Sequence, residues 1–223
     1  MFEPLLATNL SKRYRILPFN LPGFGAAPLV GKTTLAGLAK ATVNFARNNN
    51  AHIILAHSVA SVIATVAAQQ KDSTIKTILS LEGNITAEDA YFSGTAANYG
   101  NAKTFRISFL RKLDNLARTQ PIFARYRAMV AEADPQALWE LGTDAYHYSK
   151  EHVPGDELIN AASVIYLCNR DNMTESSIEW LRQNDICEIQ LEGASHWMSV
   201  EQPHLLAEKI QQGLNEFSTM FLG

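Results

Sequence analysis

The stretch AHIILAHSVASVIATVAAQQ, residues 51–70, decides the fold of this 223-residue chain. A short apolar run over residues 52–56 leads at once into His57-Ser58-Val59-Ala60, and the next residues, to Gln69, keep helical character with few polar side chains. The pattern predicts a buried strand, a very tight turn and a buried helix, with one serine at the apex. Such a corner holds its side chain clear of the sheet edge and aims the helix's first unpaired N–H groups at whatever that side chain attacks.

Outward from this stretch, strand and helix patterns alternate. Residues 2–13 have helical apolar spacing (Phe2, Leu5, Leu6, Leu10), 14–19 read as a short buried strand, and 20–25 (NLPGFG) are dense in turn formers. A helix is expected over 34–48, capped by Thr33 or Thr34, and a further strand over 75–81. From residue 86 to 161 the alternation stops: helical patterns over 105–118, 121–133 and 135–150 succeed one another with no strand between them. It resumes with a strand at 163–168, a helix at 176–184, a strand at 186–191 and a last helix at 202–217. The expectation is an α/β fold with a mostly parallel sheet covered by helices on both faces. Residues 1–85 and 162–223 would form the core and 86–161 a helical insertion.

The formal charge of −3 gives no reason to expect nucleic acid or an anionic membrane as partner, which leaves a small molecule as the default. Two cysteines, Cys168 and Cys187, are too few for a disulfide framework and suit a reducing cytoplasm. No stretch has the make-up of a signal peptide or a membrane span. A soluble, cytoplasmic protein is expected.

Gly31-Lys32-Thr33-Thr34 looks like the end of a phosphate-binding loop, but that loop needs a glycine five residues before Gly31, where Ala26 stands. A helix cap is the better reading, and no nucleotide site is expected. Ser58 fits the nucleophile-elbow pattern G-x-S-x-G with Ala56 and Ala60, each one methyl larger, at the glycine positions. On those five residues alone a serine capping a helix is an equal reading. His196, in Gly193-Ala194-Ser195-His196-Trp197, and Asp171, past the strand at 163–168, read singly as loop and turn residues. Their value lies in order, since serine, acid and then histidine after the last strand is the chain order of one triad arrangement.

With these motifs the chain resembles an α/β-hydrolase of the capped, esterase-like type over nearly all of its length. Residues 14–25 resemble the family's strand and D-L-P-G-F-G, with Asn20 for aspartate. Ala56-His57-Ser58-Val59-Ala60 resembles G-H-S-x-G. Cys168 to Asp171 resembles the acid-bearing G-x-x-D, and 193–203 the G-A-G-H-F and E-x-P that carry the histidine. The resemblance implies a serine hydrolase that cleaves a small carboxylic ester through an acyl-enzyme, with no cofactor and no metal.

In that role His196 would take the proton of Ser58, Asp171 would hold the imidazole, and the N–H of Val59 would bind the oxyanion. His57 and Trp197 would contact substrate. Glu82, ending the strand at 75–81, is the rival acid, since some family members place theirs there. Two other readings stay open: carbon–carbon cleavage or a lyase step with the same groups, and a fold that binds a ligand without turnover.

The family's initial strands and the H-G segment that supplies a second oxyanion donor have no counterpart in this sequence. A sheet gap is therefore expected between residues 14–19 and 52–56, in a chain that is N-terminally shortened, rearranged, or completed by a partner strand in a homodimer. Seven cations (Lys103, Arg106, Arg111, Lys112, Arg118, Arg125, Arg127) face only Asp114 and read as a solvated helix face or as attraction for an acidic substrate. Trp139, Tyr146, Tyr148 and Trp197 are either core or the lining of an acyl pocket.

Overall fold

The computed structural model describes residues 1–221, with side chains through residue 216. Strands β1 (Ile53–His57), β2 (Thr77–Leu81), β3 (Ser163–Cys168) and β4 (Cys187–Gln190) form one sheet in that order, each pair parallel. Alternation along β3 shows how it is covered: Val164, Tyr166 and Cys168 enter one buried cluster, while Ile165 and Leu167 enter another across the sheet. A parallel strand buried on both sides needs this unbroken apolar run, because neither face meets water.

The helices are α1 (Leu10–Arg13), α2 (Leu35–Asn48), α3 (Ala60–Ala68), α4 (Ala102–Ala117), α5 (Ile122–Glu132), α6 (Pro135–Glu151), α7 (Pro154–Ala161), α8 (Glu175–Gln183), α9 (Met198–Glu201) and α10 (Pro203–Phe221). Residues of α2, α3 and α8 cover one face of the sheet, and residues of α1 and α10 the other. Between β2 and β3 run α4 to α7. There Phe105, Phe109, Leu113 and Val130 form a separate buried cluster.

Residues 31–34 turn out to be the entry to α2. Thr34 is its N-cap and accepts from the Gly37 N–H at 3.0 Å. Two carboxylates of α6 take the neighbouring N–H groups: Glu140 from Thr33 at 2.6 Å and Asp144 from Leu35 at 2.7 Å. The first turn of a helix leaves its N–H groups without intrahelical partners, so α6 is bound to the core through charge-assisted hydrogen bonds.

Two expectations need correction. Residues 14–19 form no ladder: Arg15 reaches the Asn49 carbonyl and Phe19 stacks on Phe45 at 4.4 Å, so side chains hold this stretch against α2. A strand requires a neighbour for its main-chain groups, and β1, the nearest strand in the sheet order, pairs among the described residues with β2 alone. Residues 2–13 split into a 3-10 turn at Glu3–Ala7 and α1, because the Thr8 hydroxyl bonds back to the Leu5 carbonyl. The last helix, expected over 202–217, is α10, which opens at Pro203, and the short α9 precedes it in what reads as loop. The short α7, opened by Pro154, has no counterpart in the sequence reading.

Candidate active site

The corner between β1 and α3 puts Ser58 at φ 55°, a left-handed conformation that a side chain ordinarily avoids. Its N–H is tied to the Leu81 carbonyl at 3.0 Å, and its own carbonyl accepts from the Ser61 N–H at 2.9 Å and hydroxyl at 2.8 Å. Both neighbours thus fix the corner. Val59 is the N-cap of α3, so its N–H is among those a helix start leaves free to face an anion.

At the end of the adjacent strand β2, Glu82 is also left-handed, at φ 41°. Its carboxylate, 4% exposed, meets His196 Nδ1 at 2.5 Å. The second carboxylate oxygen accepts from the Asn169 N–H at 3.1 Å and the Asn172 side-chain amide at 2.9 Å. Both asparagine side chains also donate to the Ala194 carbonyl, which binds the histidine loop to the same group. Only one other non-glycine residue has positive φ, Asn50, so the backbone strain of the described chain concentrates here.

The structure brings His196 to Glu82 and does not bring it to Asp171. Asp171 is exposed and bonds through its main-chain N–H to Asn169 Oδ1 at 3.2 Å. Its segment contributes Asn169 and Asn172 to the site instead. Gly83 enables the arrangement: a Cβ there would collide with Ser80 Oγ and Ser61, so only glycine lets β2 turn off the sheet and carry Glu82 under the imidazole.

His57 lies against His196, ring centroids 4.4 Å apart, and meets Trp197 edge-on at 5.6 Å. Burial, and then the nearby His196, hold its proton affinity well below the ordinary range, so it is neutral near pH 7. Its Nε2 is buried without a partner among the described residues. Trp197 in turn packs on Tyr126 and Phe123 of α5.

These groups line a cavity of about 1350 Å³ that continues past Phe24, Phe92 and Leu138 and along residues 14–19 beside β1. Of the aromatics singled out from sequence, Trp197 lines it, whereas Trp139 is turned to the Ala96 and Tyr99 carbonyls. Sequence reasoning passed over Phe123 and Tyr126, whose three-residue spacing on one helix face was the available signal. Two of the seven cations, Lys112 and Arg125, reach the cavity; Arg127 pairs with Asp114 and Arg106 binds the Ala131 carbonyl.

The model of the alpha/beta hydrolase family matches residues 1–209. The chain belongs to the α/β-hydrolase family. Similar solved structures include a putative aryl esterase from Burkholderia cenocepacia at 15% identity and TM-score 0.69, covering 98% of this chain and 85% of that one. An N-acyl homoserine lactonase complexed with N-hexanoyl homoserine matches at 15% and 0.68, covering 97% and 82%. A thermophilic esterase from Thermogutta terrifontis matches at 13% and 0.64, covering 88% and 78%. Comparison with curated proteins finds no match. Likeness at this identity establishes the fold, while the chemistry must be argued from the site. In this α/β-hydrolase the site offers a strained serine, a histidine oriented by a buried carboxylate and a helix N-terminus, which is the equipment of acyl transfer. No described helix is long and apolar enough to cross a membrane.

Proposed function

We propose that the protein is a serine hydrolase that cleaves a small carboxylic ester through an acyl-enzyme, with Ser58 as nucleophile, His196 as base and Glu82 as the acid that orients it. The observation that carries this reading is the 2.5 Å contact between His196 Nδ1 and the buried Glu82, beside a serine held at positive φ. A carboxylate at Nδ1 fixes that nitrogen as N–H and leaves Nε2 as the lone-pair acceptor for a serine proton. Ser58 Oγ then attacks the ester carbonyl carbon as its proton passes to Nε2, and the oxyanion faces the Val59 N–H. Collapse expels the alcohol, which takes its proton from His196. Water repeats the sequence on the acyl-Ser58 ester and releases the acid. Lactones are cyclic esters and fall within the same chemistry.

Residues 86–161 act in this reading as the cap over the cavity, and a homodimer closes the free edge of β1. Both cysteines are unpaired, which suits the cytoplasm. A fluorophosphonate probe tests the nucleophile. Labelling of the wild type but not of Ser58→Ala, together with p-nitrophenyl butyrate hydrolysis lost in the same variant, is expected. Absence of both labelling and turnover in the wild type would leave a fold that binds without reacting.

A further inference from the structure

Glu82 meets the His196 ring through one carboxylate oxygen, Oε2. The other, Oε1, accepts from the Asn172 side-chain amide at 2.9 Å and from the Asn169 main-chain N–H at 3.1 Å. Asn172 Nδ2 also donates to the Ala194 carbonyl at 3.0 Å, so one of its hydrogens is on the acid and the other on the loop that carries His196. A carbonyl oxygen can only accept, which fixes the nitrogen of this amide, and not its oxygen, on that side. The Asn172 main-chain N–H is tied to the Asn169 carbonyl at 3.0 Å, so the amide is held from the end of β3.

This matters to the base. His196 needs an acceptor at Nδ1, because only then is Nε2 free to take the Ser58 proton. Glu82 stands on a backbone at φ 41°, a conformation that persists only where its surroundings fix it. Donors at Oε1 supply that fixing and leave Oε2 for the imidazole. One of the two donors is main chain and survives any substitution; the other is Asn172.

We propose that Asn172 is a positioning residue for the acid: its amide joins the Glu82 carboxylate to the histidine loop and reserves the second carboxylate oxygen for His196. It acts through Glu82 and exchanges no proton itself. This rests on the ester-hydrolase reading above.

Asn172→Asp tests it, since the new side chain keeps the shape but offers acceptors where donors stood. In the wild-type background it repels Glu82, and kcat for p-nitrophenyl butyrate should fall about 10- to 100-fold, the effect of a hydrogen bond to a charged group, with KM unchanged. In a Glu82→Gln background the effect should reverse. There the donors of Asn169 and Asn172 draw the new glutamine's carbonyl oxygen, so its NH2 faces His196 and enforces the wrong tautomer. Adding Asn172→Asp supplies an acceptor that draws the NH2 instead and turns the carbonyl oxygen to Nδ1, so kcat should rise about 3- to 10-fold over Glu82→Gln alone. A residue with a merely structural role would lower kcat in both backgrounds. Counting kcat per site titrated with the fluorophosphonate probe removes any unfolded fraction. No gain over Glu82→Gln, an unchanged kcat in the wild-type background, or a loss carried by KM would overturn the proposal while leaving the ester-hydrolase reading intact. If the wild type does not exceed a Ser58→Ala control, that reading falls and the proposal with it.

Discussion

At the level of single residues, the assignment of the acid is the sharpest consequence of the site. Glu82→Gln removes the charge facing His196 and frees the imidazole to take the wrong tautomer, so kcat should fall by about 10³- to 10⁴-fold. Asp171→Asn, at an exposed position without contact to the imidazole, should stay within about twofold of wild type on the same ester, and the reverse pattern would reinstate Asp171. The sequence displays both carboxylates at strand ends that lie level in the sheet, since Leu81 is in register with Leu167. Spacing alone therefore does not separate them. What separates them is a backbone at φ 41° and amide donors 87 and 90 residues away, neither of which a one-dimensional pattern carries. His57 yields a pH prediction at the same scale. Unfolded, it binds a proton near pH 6.5, whereas burial and His196 hold its folded proton affinity well below that. As pH falls beneath about 6.5 the unfolded chain binds more protons, so stability is lost by up to about 1.4 kcal/mol per pH unit from this group. Urea denaturation at pH 7.5 and 5.5 should show a smaller acid loss for His57→Gln than for wild type; parallel losses would remove His57 from the account.

Among the elements, the strands and helices that the sequence made plain are those whose partners lie in the described chain. β1 to β4 and α2 to α6 fall within a few residues of their expected bounds, because period-2 and period-3.6 burial is written directly in their apolar residues. Residues 14–19 carry an equally strand-like composition but form no ladder, since strand structure is a property of a pair and not of a segment. The Gly31–Thr34 motif shows the opposite case, a familiar signature absorbed into a helix cap. Thr34→Ala should cost about 1 kcal/mol in urea denaturation through loss of the bond to the Gly37 N–H. Glu140 and Asp144 approach the same helix end from α6, which explains how a helix between β2 and β3 is fastened to α2. If Thr34→Ala left the midpoint unmoved, those two carboxylates would already suffice to satisfy the helix end.

For the molecule as a whole, β1 is the decisive element, since it bears the elbow at its carboxyl end and pairs on one side only among the described residues. An unpaired edge presents a row of N–H and C=O groups that must meet water or another strand. Here that edge borders the cavity that also runs along residues 14–19, with Leu17 and Phe19 on one side and Ile53 and Leu55 on the other. The space is larger than the roughly 300–1,000 Å³ of an ordinary ligand site. Apolar walls flanking unpaired main-chain groups suit a strand better than an acyl chain, because only a strand satisfies the groups it covers. A second copy of the chain is the partner expected to close it. Light scattering should then give twice the 24.6 kDa of one chain at micromolar concentration. Ile53, 41% exposed at the start of β1, is the place to interfere. Ile53→Lys puts a charge where a neighbouring strand would pack, the device by which natural edges avoid pairing, and should shift the mass to 24.6 kDa. A wild type that scatters as a monomer would remove the homodimer and leave β1 as a solvated edge beside the elbow it carries.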